Sequence, residues 1–476
     1  MNLPQKEGIE EGSYRDRNGS VFYYNHTVYR GISQKALHNW KILSQTRFFD
    51  EFCNCGEIVK TQQVDWDDEG LPLASRSQWA AVLRHESIPF VSYPYEWSFS
   101  ALKDAGLLQL RLFLQSLKED IGLKDASAFN IQWRGTRPVF IDIPSFEPWV
   151  AGEPWIGYRQ FCQLFLYPLL LQAYKNIHFQ PWLRGRLDGI EPQEMNNIMS
   201  WRDRLRAGVM SHVFLHSRFE KVFNKGTTSV KDRLNDSGFH KELIVANVRR
   251  LERLIEGLKW RQSQSEWSEY GEGARYSDED KQAKERFVRN VASSRQWLRA
   301  WDLGCNQGVY TRILAEHADT VVAMDSDHLT VDRFYQKLRK EGNQRILPLV
   351  VNLADPSPAL GWRGRERKSL VERGRPSLTL CLALIHHIVI QANVPLADFV
   401  DWLRTLGGTL VIEFVAREDP MVQRLLQNKV DDYADYEQAH FEFVLQQNFR
   451  IVKKENLFCG TRSLYWAEPL SSDTTG

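Results

Sequence analysis

Residues Trp301–Gly308 read WDLGCNQG. An apolar run ends on Asp302 and Leu303, two glycines bracket a turn, and VYTRILAEHA (309–318) follows with the periodicity of a helix. A chain that leaves a strand and enters a helix this abruptly must bend sharply. Gly304 and Gly308 supply the backbone freedom, and the N–H groups that open the helix have no partner within it. Asp302 closes the strand and is expected to face the crevice. A second strand-like run, TVVAM, ends at Asp325, 23 positions after Asp302. A carboxylate there suits two vicinal ribose hydroxyls, each donating one hydrogen bond.

The pattern continues outward in both directions. KERFVRNVASSRQ before the bend and VDRFYQKLRKE after it read as helices, while ILPLVV, LTLCLAL, TLVIEFV, FRIVKKENL and SLYWAE read as strands. Apolar strands alternating with helices predict an α/β fold, a mostly parallel sheet with helices on both faces.

Asp-Leu-Gly-Cys with a closing Gly308 and an acid ending the second strand resembles the class I S-adenosylmethionine-dependent methyltransferases. The resemblance implies a Rossmann-like domain with S-adenosyl-L-methionine as cofactor. It places Asp302, Gly304, Asn306 and Gly308 along the methionine and sugar portion, with Asp325 on the ribose. The family usually has a third glycine where this chain has Asn306, and Asn is the side chain that best tolerates positive φ. A dinucleotide GxGxxG reading is weaker, because Asn306 and Tyr310 replace its glycines. The bland alternative is a glycine turn that holds nothing.

Further positions follow from the same resemblance. Asn352, after the third strand, stands where the family contacts adenine; its alternative is a polar strand-end cap. His386 and His387, read as the end of the fourth strand, would face the transferring methyl group. An imidazole there suits proton removal from an acceptor, and its alternative is a hydrogen bond to backbone. On a strand, neighbouring side chains point to opposite sides, so the pair is not expected to share a metal, and no metal site is expected. Glu413, inside the fifth strand, is either near the cleft, with a catalytic role, or satisfied by a nearby arginine. GWRGRERKSLVERGRP (361–376) carries Arg363, Arg365, Arg367, Lys368, Arg373 and Arg375: a lid on an anionic acceptor, or a solvated helix.

Residues 261–284 have little apolar periodicity and read as a linker. They separate an N-terminal α+β region, 1–260, from a methyltransferase-like domain, 285–470, with a tail at 471–476. In the first region Asp125, Asn130 and Asp142 are similar in spacing to a kinase catalytic loop and its metal aspartate. No His-Arg precedes Asp125, Asp142 leads into Ile-Pro, and no glycine-rich phosphate loop is evident upstream. An ATP-binding or pseudoenzyme scaffold is therefore the second reading. A helical hairpin is expected over about 158–251. The strip His85, Tyr93, Tyr95, Glu96 and Trp97 reads as an aromatic acceptor surface or, more simply, as core.

Composition narrows the field. The chain has 476 residues, 43% of them hydrophobic and 25% charged, which permits a large core. A net charge of +1 argues against a dedicated nucleic-acid binder. Six scattered cysteines form no disulfide framework. The polar, acidic start has no signal-like apolar core, and no apolar run reaches the length of a membrane span, so a cytoplasmic protein without membrane partners is expected. The phrases YPYEWSF, NIQWRGTRPVFID, EPWIGYRQFC, LALIHH and EFVAREDPM resemble a family of two-part rhizobial proteins of host-specific nodulation, which implies an unidentified methyl acceptor in that setting.

Overall fold

The computed structural model describes residues 8–67, 69–71, 78–218, 240–262, 264, 277–427, 429–430 and 433–470. Most of the expected linker and the whole expected tail lie outside the described residues. The chain forms two compact units, one from 4–133 and 137–263, the other essentially from 264–476.

The N-terminal unit opens with strands β1 (Gly8–Ile9), β2 (Gly19–Tyr24), β3 (Thr27–Ile32), β4 (Thr61–Val64) and β5 (Ala81–His85), in the order β1-β2-β3-β5-β4, all antiparallel. Helices α1 (Gln34–Leu43) and α2 (Arg47–Asn54) start at Ser33 and Thr46, whose hydroxyls accept from the N–H groups of Ala36 and Phe49. Helix α3 (Phe99–Ser116) is buried along most of its length. Strands β6 (Ile121–Leu123) and β9 (Phe146–Pro148) pair, as do β7 (Ile131–Arg134) and β8 (Arg137–Phe140). His85, Tyr93, Tyr95, Glu96 and Trp97 are all buried, and Glu96 accepts the Tyr93 N–H at 2.9 Å, so this strip is core.

Residues 219–239 of the expected hairpin over 158–251 lie outside the described residues, and the described part is a series of short helices. They are α4 (Tyr158–Phe161), α5 (Tyr167–Lys175), α6 (Gln180–Gly185) and α7 (Pro192–Ile198), then the longer α8 (Lys241–Gly257). Wide π-type turns at Cys162–Leu166 and Val209–Leu215 interrupt the regular winding.

The C-terminal unit is built on β10 (Trp297–Leu303), β11 (Ala318–Asp325), β12 (Ile346–Val350), β13 (Leu378–Cys381), β14 (Thr409–Val415), β15 (Phe449–Asn456) and β16 (Arg462–Pro469). Their order is β12-β11-β10-β13-β14-β16-β15. Pairing is parallel from β12 to β14, and β16 runs antiparallel to both of its neighbours. Helices α9 (Asp278–Ala292), α10 (Val309–His317), α11 (His328–Lys340), α12 (Leu396–Leu406), α13 (Pro420–Leu426) and α14 (Gln438–Asn448) surround it. Alternation along β14 sends Val411 toward Phe287 and Val288 of α9, and Phe414 the other way, onto Phe441 of α14. Both faces of the sheet are thus covered.

Helix α9 begins at Asp278, within the stretch read as linker. Ser277 accepts the Asp280 N–H at 3.0 Å, and three acids fill the first turn, where the helix dipole favours negative charge. No helix among the described residues is long and apolar enough to cross a membrane.

Candidate functional site at the strand-order reversal

In this sheet the chain steps outward from β10 to β11 and β12, then returns to the other side of β10 with β13 and β14. The connections leaving β10 and β13 therefore diverge, opening a crevice at the carboxyl ends of the strands. Asp302, Asp325 and the segment after β13 all lie at this end.

The bend is pinned by backbone. Gly304 and Cys305 both donate their N–H to the Met324 carbonyl, at 2.8 and 3.0 Å. Gly304, Asn306 and Gly308 have φ of +79°, +47° and +78°, so Asn306 adopts the left-handed conformation that its residue type tolerates. The Asn306 N–H donates to Asp325 Oδ2 and the Asp327 N–H to Oδ1, each at 2.9 Å. Asp325 is thereby aimed at the bend, and each oxygen keeps a second lone pair. Burial pushes its carboxyl above the ordinary range. Asp302 is 3% exposed and accepts from the Thr311 hydroxyl at 2.5 Å. Burial pushes this carboxyl up to about 6 against the opposing Thr311 hydrogen bond, and the Asp325 charge adds to the rise. Asn306 Oδ1 is buried without a hydrogen-bond partner among the described residues.

The two glycines differ. A Cβ on Gly304 would sit 3.4 Å from Leu384, ordinary contact, whereas one on Gly308 would fall 2.0 Å from the Phe334 ring. Gly308 thus serves the close packing of α10 on α11. Asn352 is exposed, and its Oδ1 accepts the Ala354 N–H at 3.1 Å, the geometry of a strand-end cap.

Strand β13 ends at Cys381, earlier than the apolar run suggested. Ala383 turns the chain with φ +50°, and His386 and His387 follow on a helical turn. The expected strand alternation does not apply to them: their rings lie 4.1 Å apart, centroid to centroid. His386 is buried, and neither ring nitrogen has a hydrogen-bond partner among the described residues. Burial holds its pKa well below the usual imidazole value, with His387, Arg462 and Lys284 pressing the same way. His387 is half-buried, and its Nδ1 lies 2.8 Å from Gln391 Oε1.

Glu413 is fully buried in a charge network. Lys284 Nζ lies 2.6 Å from Oε2 and Arg462 3.4 Å from Oε1, while Arg462 also grips both oxygens of Asp419, at 2.7 and 3.2 Å. Its carboxylate is engaged by cations, which replaces the catalytic role expected of it with a structural one. Lys284, Arg462 and Asp419 were not singled out from the sequence. Lys284 nevertheless falls on the apolar stripe of α9, with Phe287, Val288 and Val291, a position where a cation needs a buried partner.

The arginine-rich segment is not a helix. It forms two short 3₁₀ turns, Trp362–Gly364 and Val371–Arg373, with a Leu360–Arg367 bridge. Glu366 accepts the Trp362 N–H and Arg373 is buried, while Arg363, Arg365 and Arg375 are exposed.

In the N-terminal unit the fold brings Asp125 and Asp142 together. Burial raises the Asp125 carboxyl, and the Asp142 charge adds to it. Asp142 Oδ1, however, takes the Arg30 guanidinium at 2.7 Å, and its Oδ2 accepts the Ser145 hydroxyl. Arg30 supplies here the positive charge that a bound cation would bring.

No protein-family model matches the chain. Among solved structures it is similar to the N-methyltransferase NodS from Bradyrhizobium japonicum WM9 in complex with S-adenosyl-L-homocysteine, at 14% identity and TM-score 0.30, over 40% of this chain and 88% of that one. It is also similar to the magnesium protoporphyrin IX methyltransferase ChlM from Synechocystis PCC 6803, at 15% identity and TM-score 0.30, over 42% of this chain and 91% of that one. A far longer likeness takes in both units. The nodulation protein NoeA of Rhizobium meliloti (strain 1021) is 31% identical over 468 residues, 97% of this chain and 96% of its own. On that identity across nearly its full length, the chain belongs to the NoeA family of nodulation proteins.

Proposed function

We propose that the C-terminal unit binds S-adenosyl-L-methionine at the β10–α10 bend and transfers its methyl group to an acceptor, in the setting of host-specific nodulation. The observation that carries this reading is the hydrogen bond from the Asn306 N–H to Asp325, which joins the bend to the acid at the end of β11. The residues present fit the cofactor. Asn306 Oδ1 is a buried acceptor awaiting a donor, the second lone pairs of Asp325 suit ribose hydroxyls, and the buried Asp302 carboxylate suits a cation.

Once bound, S-adenosyl-L-methionine supplies an electrophilic methyl on a sulfonium. Asp302 would hold the cationic end of the ligand, and the pinned bend would hold its methionine and sugar portion. His387, whose Nδ1 lies beside Gln391 Oε1, would take the proton that the acceptor loses as the new bond forms. The depressed pKa of His386 suits it to stay neutral beside the reaction. Most of the rate comes from alignment.

Isothermal titration of the full chain with S-adenosylhomocysteine tests the reading. Saturable heat is expected, lost in Asp325→Ala; no heat from the folded protein rejects it. Methyl-labelled cofactor with cell extract then identifies the acceptor.

A further inference from the structure

One turn of the N-terminal unit takes no part in this chemistry. Trp201 and Leu205 are 69% and 88% exposed, two large apolar side chains four positions apart. Arg202, Arg204 and Arg206 are interleaved with them, all exposed. The one acid in the turn, Asp203, is buried and engaged inward. It accepts from Lys175 Nζ at 2.6 Å and from the Ser200 hydroxyl and N–H at 2.6 and 2.8 Å, and Arg206 lies 3.4 Å away. These bonds fix the turn and cancel its only negative charge.

Arg202 and Arg204 have no ion-pair partner among the described residues. Their guanidinium groups lie over the rings of Trp201 and Phe214, at 5.2 and 4.0 Å. Arg206 lies 4.9 Å over the Tyr174 ring and donates to the Tyr174 carbonyl. The result is a braced tip with apolar side chains at its crown and cations at its base.

Single exposed apolar residues are ordinary and need no explanation. This combination is more specific. A leucine 88% exposed protrudes from its own chain, so an extended acidic peptide would bury little of it. A lipid surface accepts such a protrusion: an indole ring settles at the level of the headgroups, leucine enters the acyl boundary, and arginines meet phosphates. That no helix crosses a membrane bears on spanning a bilayer, not on lying against one.

We propose that the turn Trp201–Arg206 is a peripheral docking site for an anionic lipid surface, with Trp201 and Leu205 in the headgroup layer and the three arginines on the lipid phosphates. The proposal is independent of methyl transfer.

Co-sedimentation of the full chain with two kinds of vesicle tests it: phosphatidylcholine alone, and phosphatidylcholine mixed with phosphatidylserine. Binding is expected to the mixed vesicles only and to weaken with salt. Arg202→Ser with Arg204→Ser should lower affinity about fivefold for each arginine removed. Trp201→Ser with Leu205→Ser should lower it about tenfold or more. All four positions are exposed, so an unchanged melting temperature separates lost docking from lost folding. A wild-type chain that stays in solution with the mixed vesicles overturns the proposal, as do variants that bind like wild type. Capture by polyglutamate without vesicle binding would assign the tip to an acidic protein instead, and equally overturns it.

Discussion

Lys284 Nζ lies 2.6 Å from Glu413 Oε2, and neither side chain is more than 4% exposed. The pair ties the helix before the sheet to its fifth strand, across 129 residues of sequence. Arg462 and Asp419 complete the network, so two cations face two anions away from water. Removing one partner leaves a buried charge unopposed. Lys284→Met or Glu413→Gln alone should cost about 3–5 kcal/mol, read from urea midpoints. The double variant Lys284→Met with Glu413→Gln leaves Arg462 balanced by Asp419, and should recover much of that loss. Additive losses would refute the coupling.

Asp302 connects the proposed binding to stability. Its carboxyl titrates at about 6 in the fold, against 3.8 in an unstructured chain. The folded pKa is the higher one, so the fold holds the proton more tightly, and stability falls as pH rises between the two values. Ionised Asp302 therefore costs about 3 kcal/mol above that window relative to below it. Asp302→Asn keeps an acceptor for Thr311 and removes the ionisation. It should melt higher than wild type at neutral pH, lose that advantage in acid, and bind cofactor poorly. A melting difference that does not change with pH would contradict this.

The two bend glycines should separate in the same assay. Gly304→Ala meets only ordinary contact with Leu384, and its cost is that of a strained positive φ, about 1–3 kcal/mol. Gly308→Ala adds a collision with the Phe334 ring and should cost more. Phe334→Leu should partly rescue Gly308→Ala and leave Gly304→Ala unrescued.

In the N-terminal unit, Arg30 holds Asp142 in place of a cation. Magnesium with ATP should leave the melting temperature unchanged, while Asp142→Ala should lower it by freeing a half-buried guanidinium. A magnesium-dependent rise with ATP, abolished in Asp142→Ala, would restore the phosphotransfer reading.

Much of the C-terminal unit was legible in the chain because its signals are local. Apolar runs of strand length mark β10 to β14, and a glycine turn with an acid 23 residues on marks the crevice. What escaped depends on partners distant in sequence or on a single dihedral. Lys284 shows its role only beside Glu413 and Arg462. Gly308 looks like a ligand glycine until Phe334 is seen against it. His386 and His387 extend an apolar run that reads as strand, yet the positive φ of Ala383 ends the strand and places both rings on a helical turn. The start of α9 was readable from Ser277 and its three acids, but so polar a stretch passed for a connection.

Strand β16, the last in chain order among the described residues, lies inside the sheet, between β14 and β15, and it carries Arg462. Arg462 grips Asp419, so that carboxylate gains its countercharge only when this late strand docks, whereas Glu413 already faces Lys284. Without β16, β14 and β15 have no strand between them and Asp419 lacks its guanidinium, so the sheet closes around a strand drawn from late in the sequence. A truncation upstream of Arg462 should accordingly cost the C-terminal unit its cooperative unfolding, read by thermal melting.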